Sequence, residues 1–291
     1  MNRPILMAVA TATCTYPLPA ALAQGGGEAV QSEIEAISES VVRIRTIADL
    51  EYQRDDARTG TTRTAVRPYS VDGTGVVVGE MEVDGRTEYL ILTNHHVADA
   101  SNYVLQEGGY LRVNPSNTLA VPSVHETSYL MESAGGEVAE EGTELIELVR
   151  RVRGDMTLMR TSGATRKLSV FRGMIGYVDG EVTAGAEVVT SGYPWGGERI
   201  VAAGSVLAVD HIHELGLPHA DFVLDLPVEP GQSGGPIFLV EPDVAADEGR
   251  RFRLIGLVHA KDRERNYGVP YSLWRDSLDE FPAELQTRLV R

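Results

Sequence analysis

Residues 229–236 read Glu229-Pro230-Gly231-Gln232-Ser233-Gly234-Gly235-Pro236 and run straight into the apolar stretch Ile237-Phe238-Leu239-Val240. A serine set among glycines at the mouth of a strand is chemically specific. A serine hydroxyl is a weak nucleophile at neutral pH and needs both a base and donors for a developing oxyanion. Gly231 lets the backbone turn so that its own N–H and that of Ser233 can aim at one point, and no side chain there blocks an approaching carbonyl. The plain alternative is a glycine-rich turn with no chemistry.

Outward from this segment the chain reads as β structure. Strands are expected at 41–45, 75–79, 87–93, 102–106, 110–113, 144–152, 155–160, 186–191, 200–209, 221–226, 236–240, 252–258 and 267–271, with a hairpin turn at Asp84-Gly85. Short strands at this spacing predict an all-β barrel or sandwich. Leu50 to Tyr69 is polar and reads as a long loop or loose hairpin. Residues 123–143 read as an acidic insertion with little strand character. Glu28 to Ser40 predicts a short helix, and apolar residues at 273, 274, 278, 281, 285 and 289 predict a terminal helix over 273–290.

The 291 residues carry a net charge of −16, which disfavours nucleic acid as a partner. No apolar run is long enough for a membrane span. Residues 1–23 have the form of a secretory signal: a basic Arg3, a short apolar stretch and an Ala21-Leu22-Ala23 cleavage site. Its removal takes away Cys14, the single cysteine, and Arg3, the only charged residue of the segment, so that −16 becomes −17. The expected mature protein, 24–291, is periplasmic or extracellular and is held by its core without disulfides.

Two further segments supply what Ser233 needs. Leu92-Thr93-Asn94-His95-His96-Val97 ends a hydrophobic strand in two histidines, and histidine is the base suited to neutral pH. Adjacent histidines point in different directions, which argues against a shared metal ion. Gly154-Asp155-Met156-Thr157-Leu158-Met159 heads an alternating strand with an acid that could orient an imidazole. The candidates fall in the chain order His96, Asp155, Ser233.

In these segments the chain resembles the trypsin-like serine proteases, and within them the HtrA/Deg-like branch. Thr93 to Val97 matches that branch's T-N-x-H-V string and selects His96 over His95. Asp155 to Met159 matches D-x-A-L-x except at Thr157, and Pro230 to Pro236 matches P-G-x-S-G-G-P in full. Asp72-Gly73-Thr74-Gly75-Val76, Ser191 to Gly197 and Ile255-Gly256-Leu257 echo further segments. The order of the three residues is that of the chymotrypsin-type triad. The resemblance implies two six-stranded antiparallel β-barrels, one over about 40–165 and one over about 170–272, with the triad between them. It implies a serine endopeptidase acting on protein or peptide substrates without metal or cofactor, with an oxyanion hole at Gly231 and Ser233.

The departures carry expectations of their own. Gln232 stands where trypsin has the Asp that pairs with a new N-terminus, so activation by N-terminal cleavage is not expected. Pro227 stands where trypsin has its pocket Asp, which removes the preference for Arg or Lys. The branch favours small or medium apolar residues, with Val258 and His259 as further pocket candidates. His259 raises the alternative of an acidic or Gln-directed pocket, as in glutamyl endopeptidases. About 58 residues follow Ser233, too few for the PDZ domain usual in the branch. The alternative to an enzyme is a catalytically silent trypsin-like fold that binds protein.

Overall fold

The computed structural model describes residues 27–56, 59–98, 123–133, 143–151, 154–162, 167–212, 220–241, 252–261 and 265–290. The signal segment, the strands expected at 102–106 and 110–113, and the part of the acidic insertion from 134 to 142 lie outside the described residues.

Twelve strands form two closed barrels. Strands β1 (Val41–Asp56), β2 (Thr61–Val83), β3 (Arg86–Thr93), β4 (Ser123–Ser133), β5 (Thr143–Arg151) and β6 (Met156–Thr161) close in the order β1-β2-β3-β6-β5-β4. Strands β7 (Glu187–Gly192), β8 (Ile200–Ile212), β9 (Ala220–Asp225), β10 (Pro236–Val240), β11 (Phe252–Lys261) and β12 (Asn266–Pro270) close in the order β10-β11-β12-β9-β8-β7. Closure pairs the barrel portion of each sheet on both sides, while the outer part of β2, Thr61 to Gly75, pairs with β1 alone.

The period of two along the strands decides what each side chain packs against. On β2 and β3, Val76, Val78, Leu90 and Leu92 belong to an apolar cluster that also holds Ile237, Phe238, Leu254 and Leu257 of the second barrel. The alternate residues Val77 and Ile91 join Val42, Ile44 and Met159 in a cluster of the first barrel alone. These strands are buried on both faces, which explains their unbroken apolar runs.

Three expectations are corrected. The segment 50–69 is no loop: the β1–β2 ladder runs on from Leu50↔Arg67 to Asp56↔Thr61. Thr64, Val66, Pro68 and Ser70 there are exposed, so no apolar alternation marks the strand, and main-chain pairing maintains it. The acidic insertion begins as β4, which pairs with β1 from Glu51↔Ser123 to Val42↔Ser133 and buries Met131. The C-terminal tail is not one helix. It forms 3₁₀ turns at Tyr271–Leu273 and Arg275–Glu280, then a single α-turn at Ala283–Gln286. Pro282, in extended conformation before that turn, breaks the helix, and Trp274, Phe281, Leu285 and Leu289 are buried one by one.

Arg288 ties this tail to the body. Its guanidinium donates to the Gly173 carbonyl at 2.7 Å, the Phe171 carbonyl at 2.5 Å and the Val78 carbonyl of the first barrel. The N-terminal helix, Gly27–Ser38, buries Ile34 and is the remaining helix of any length among the described residues.

Candidate active site

β3 ends at Thr93, and a single helical turn over His95–Ala98 follows. Thr46 Oγ1 donates to the Val97 carbonyl at 2.6 Å and fixes that turn to β1. His95 is buried, while His96 is partly exposed. The turn at Gly154-Asp155 presents an acid to it from the start of β6. Asp155 sits at φ 38°, a left-handed conformation that Asp tolerates better than most residues.

Asp155 is held at every oxygen. Its Oδ2 accepts from His96 Nδ1 at 2.8 Å, its Oδ1 from the His96 backbone N–H at 2.8 Å, and its carbonyl from Asn94 Nδ2 at 2.9 Å. A second imidazole reaches the same carboxylate, with His259 Nδ1 at 2.5 Å from Oδ2. Burial opposes the charge of Asp155, but the charge of His96 and the hydrogen bonds from His259 and His96 outweigh it. The carboxyl therefore titrates well below the usual carboxylate range.

Ser233 comes from the second barrel. Its loop is bound to the first through Thr74, whose N–H donates to the Ser233 carbonyl at 2.8 Å and whose Oγ1 donates to the Gly231 carbonyl at 2.8 Å. The sequence of the loop follows from this closeness. Gly234 has φ 84°, and a Cβ there would lie 2.2 Å from the Thr74 carbonyl oxygen. Gly231 has φ 94°, and a Cβ would lie 2.5 Å from the Tyr193 carbonyl oxygen. The N–H groups of Gln232, Gly234 and Gly235 bond to the Glu229, Val258 and Gln232 carbonyls. Those of Gly231 and Ser233 have no such partner among the described residues. Gln232 is fully buried, and its Oε1 accepts from the Glu229 N–H at 2.6 Å, bracing the loop from within.

The Ser233 hydroxyl donates to the His259 carbonyl at 3.1 Å, and no hydrogen bond joins it to His96. The other residues named from the sequence are placed as follows. Val258 is wholly buried in the core, and its backbone pairs with Gly234 and Gly235. His259 turns its ring to Asp155. Of the three pocket candidates only Pro227 is partly exposed.

His96, Asp155 and His259 also place three potential ligand atoms within 4.8 Å of one another. Both nitrogens lie at hydrogen-bond length from the oxygen, 2.5 and 2.8 Å, and face it directly.

Sequence reasoning missed Asp221, a fully exposure-free acid on β9. Burial raises its carboxyl to about 6, a rise that the charge of His259 limits and that of Asp155 adds to. The signal was there: a lone acid in Ala220-Asp221-Phe222-Val223-Leu224 is rare unless it has a partner.

Two closed barrels with a His–Asp pair from one and a glycine-bound serine from the other define the trypsin-like class of fold. The family model described as the trypsin-like peptidase domain matches residues 73–246, more than half of the chain, and the chain belongs to that family. No curated protein sequence matches it. Among solved structures it is similar to that of the HtrA-type protease AlgW, a variant with a decapeptide, at 15% identity and a TM-score of 0.51. That match covers 84% of this chain and 63% of the other, so the chain spans less than two thirds of its structural relative. Among the described residues no helix is long and apolar enough to cross a membrane.

Proposed function

We propose that the protein is a serine endopeptidase that cleaves peptide bonds through an acyl-enzyme. Ser233 attacks the carbonyl carbon, and His96 takes the hydroxyl proton and returns it to the leaving amine. Asp155 keeps His96 in the tautomer whose Nε2 is free to act as base, and stabilises the imidazolium once formed. The N–H groups of Gly231 and Ser233 receive the oxyanion. The observation that carries this reading is the two-oxygen grip of Asp155 on both the ring and the backbone of His96.

The Ser233 hydroxyl donates to the His259 carbonyl and not to His96. The orientation as it stands favours a second reading, a silent fold that binds peptide without cutting it. A fluorophosphonate probe separates the two. Labelling of Ser233, lost in Ser233→Ala together with about 10⁶-fold of turnover, supports the enzyme. A protein that binds peptides and never labels is the silent module.

Three finer points belong to the same proposal. The brace of Gln232 on Glu229 makes the loop competent without a new N-terminus, so the active protein needs no cut near residue 40. Pro227 offers no charge to Arg or Lys, and His259 is engaged with Asp155 rather than free for Glu, which favours cleavage after small or medium apolar residues. A peptide library reads this directly. Residues 1–23 direct export to the periplasm or exterior, and N-terminal sequencing of the exported protein should begin at Gln24.

A further inference from the structure

We propose that His259 is a positioning residue of the triad: its imidazole, seated by a β-bulge, shares Asp155 with His96 and so sets the pH range in which His96 acts as base. This rests on the peptidase reading above and adds a fourth residue to it.

The strand explains how the ring comes to be there. β11 pairs with β12 through Val258↔Gly268 and then Ala260↔Tyr267, so His259 is the extra residue of a bulge. A bulge bends its strand and re-aims a side chain, and bulges are common beside active sites. At this bulge His259 buries its ring against Asp155, with 8% of the side chain exposed. Its carbonyl meanwhile receives the Ser233 hydroxyl. One residue touches both the acid and the nucleophile, through its ring and its main chain.

Two titratable groups meet that ring, His96 and Asp155, and the charge of Asp221 also acts on it. The two imidazoles stand edge to face, with centroids 5.4 Å apart. Burial works against a charge on His259, but the hydrogen bond and charge of Asp155, followed by the charge of Asp221, raise its pKa above the ordinary value. The consequence falls on His96. A donor on Oδ2 draws off part of the negative charge that would stabilise protonated His96, and a cation so near repels a second one. Both effects oppose a second positive charge in the site, so activity should extend further into acid than with a neutral residue at 259.

Two measurements on the full chain test this. The first is ¹⁵N NMR of the histidine rings in Ser233→Ala, which does not depend on turnover. One buried ring should be doubly protonated at neutral pH, and Asp221→Asn should lower the pH at which it loses that proton. The second is the rate of fluorophosphonate labelling of Ser233 against pH. His259→Gln keeps an N–H for Asp155 and removes the charge, so the acid limb should move up by about one pH unit. Asp221→Asn should move it the same way by less, which covers the case of a poorly folding His259 variant. A neutral His259 at pH 7, or an acid limb unmoved in both variants, overturns the proposal. A wild type that never labels overturns the peptidase reading instead, and the NMR titration then decides the Asp155–His259 pairing alone.

Discussion

Among the described residues each barrel buries one aspartate, and the two end in opposite states. Asp155 of the first barrel is 5% exposed and Asp221 of the second 0%. Burial pushes both carboxyls upward, yet Asp155 lies well below the ordinary range while Asp221 rises to about 6. Depth does not separate them. Asp155 receives N–H donors from His96 and His259 on its two oxygens, whereas for Asp221 the pull of His259 is smaller than the cost of burial. A carboxylate's charge in a protein interior is thus decided by the donors aimed at it.

The largest effect expected follows from that contrast. Asp155→Asn should cost about 10⁴-fold in turnover, because His96 loses its tautomer. Asp221→Asn should stay within about tenfold, a change worth about 1.4 kcal/mol of barrel-to-barrel electrostatics. Steady-state kinetics on both variants decides, and equal losses would erase the distinction. Next come two glycines, both at positive φ. Gly231→Ala in the second barrel meets Tyr193 and Trp195 backbone and displaces an oxyanion donor, with a loss of about 10²–10³ in kcat expected. Gly85→Ala at the first barrel's hairpin tip meets nothing within 4 Å, and should cost about 1 kcal/mol of stability with kcat unchanged.

Arg288, gripping carbonyls of the first barrel and of the segment between barrels, should cost about 2 kcal/mol when changed to Ala, measured by urea unfolding. Acid titration of stability sharpens the aspartate contrast further. The lowered Asp155 contributes stability above about pH 4 that is lost as pH falls below it, so Asp155→Asn should flatten that decline. The raised Asp221 acts in the other sense. Between about pH 4 and about pH 6 the native state holds the extra proton, so stability rises as pH falls, and Asp221→Asn should flatten that rise. The smallest effect belongs to Arg172, whose pair with Glu80 at 2.6 Å is largely exposed. Arg172→Ala should change stability by less than about 1 kcal/mol.

Much of this was legible in the residues. The glycines around Ser233 announce a backbone packed too closely for side chains, and contacts from Thr74 and Tyr193 are what crowd it. Unbroken apolar runs such as Gly75 to Gly79 and Leu90 to Leu92 mark strands buried on both faces. The long β1–β2 hairpin was not legible, because strands exposed to water need no apolar alternation. The broken C-terminal helix was misread because its buried residues also fit a helical period, and only Pro282 signalled the break. The orientation of His259 was hidden for another reason. A bulge changes which way a side chain points without leaving a mark in composition, and the pairing of β11 with β12 is set by residues elsewhere.

Thr74 couples the two barrels. It belongs to the first barrel, yet the carbonyls of Gly231 and Ser233, which shape the nucleophile's loop, are hydrogen-bonded to it. The candidate site is therefore assembled only when the two halves have found each other. A nascent chain with one barrel formed has either a base without a nucleophile or a nucleophile in an unshaped loop. Under the proposed reading, a half-folded copy is therefore catalytically incomplete until its two barrels have docked.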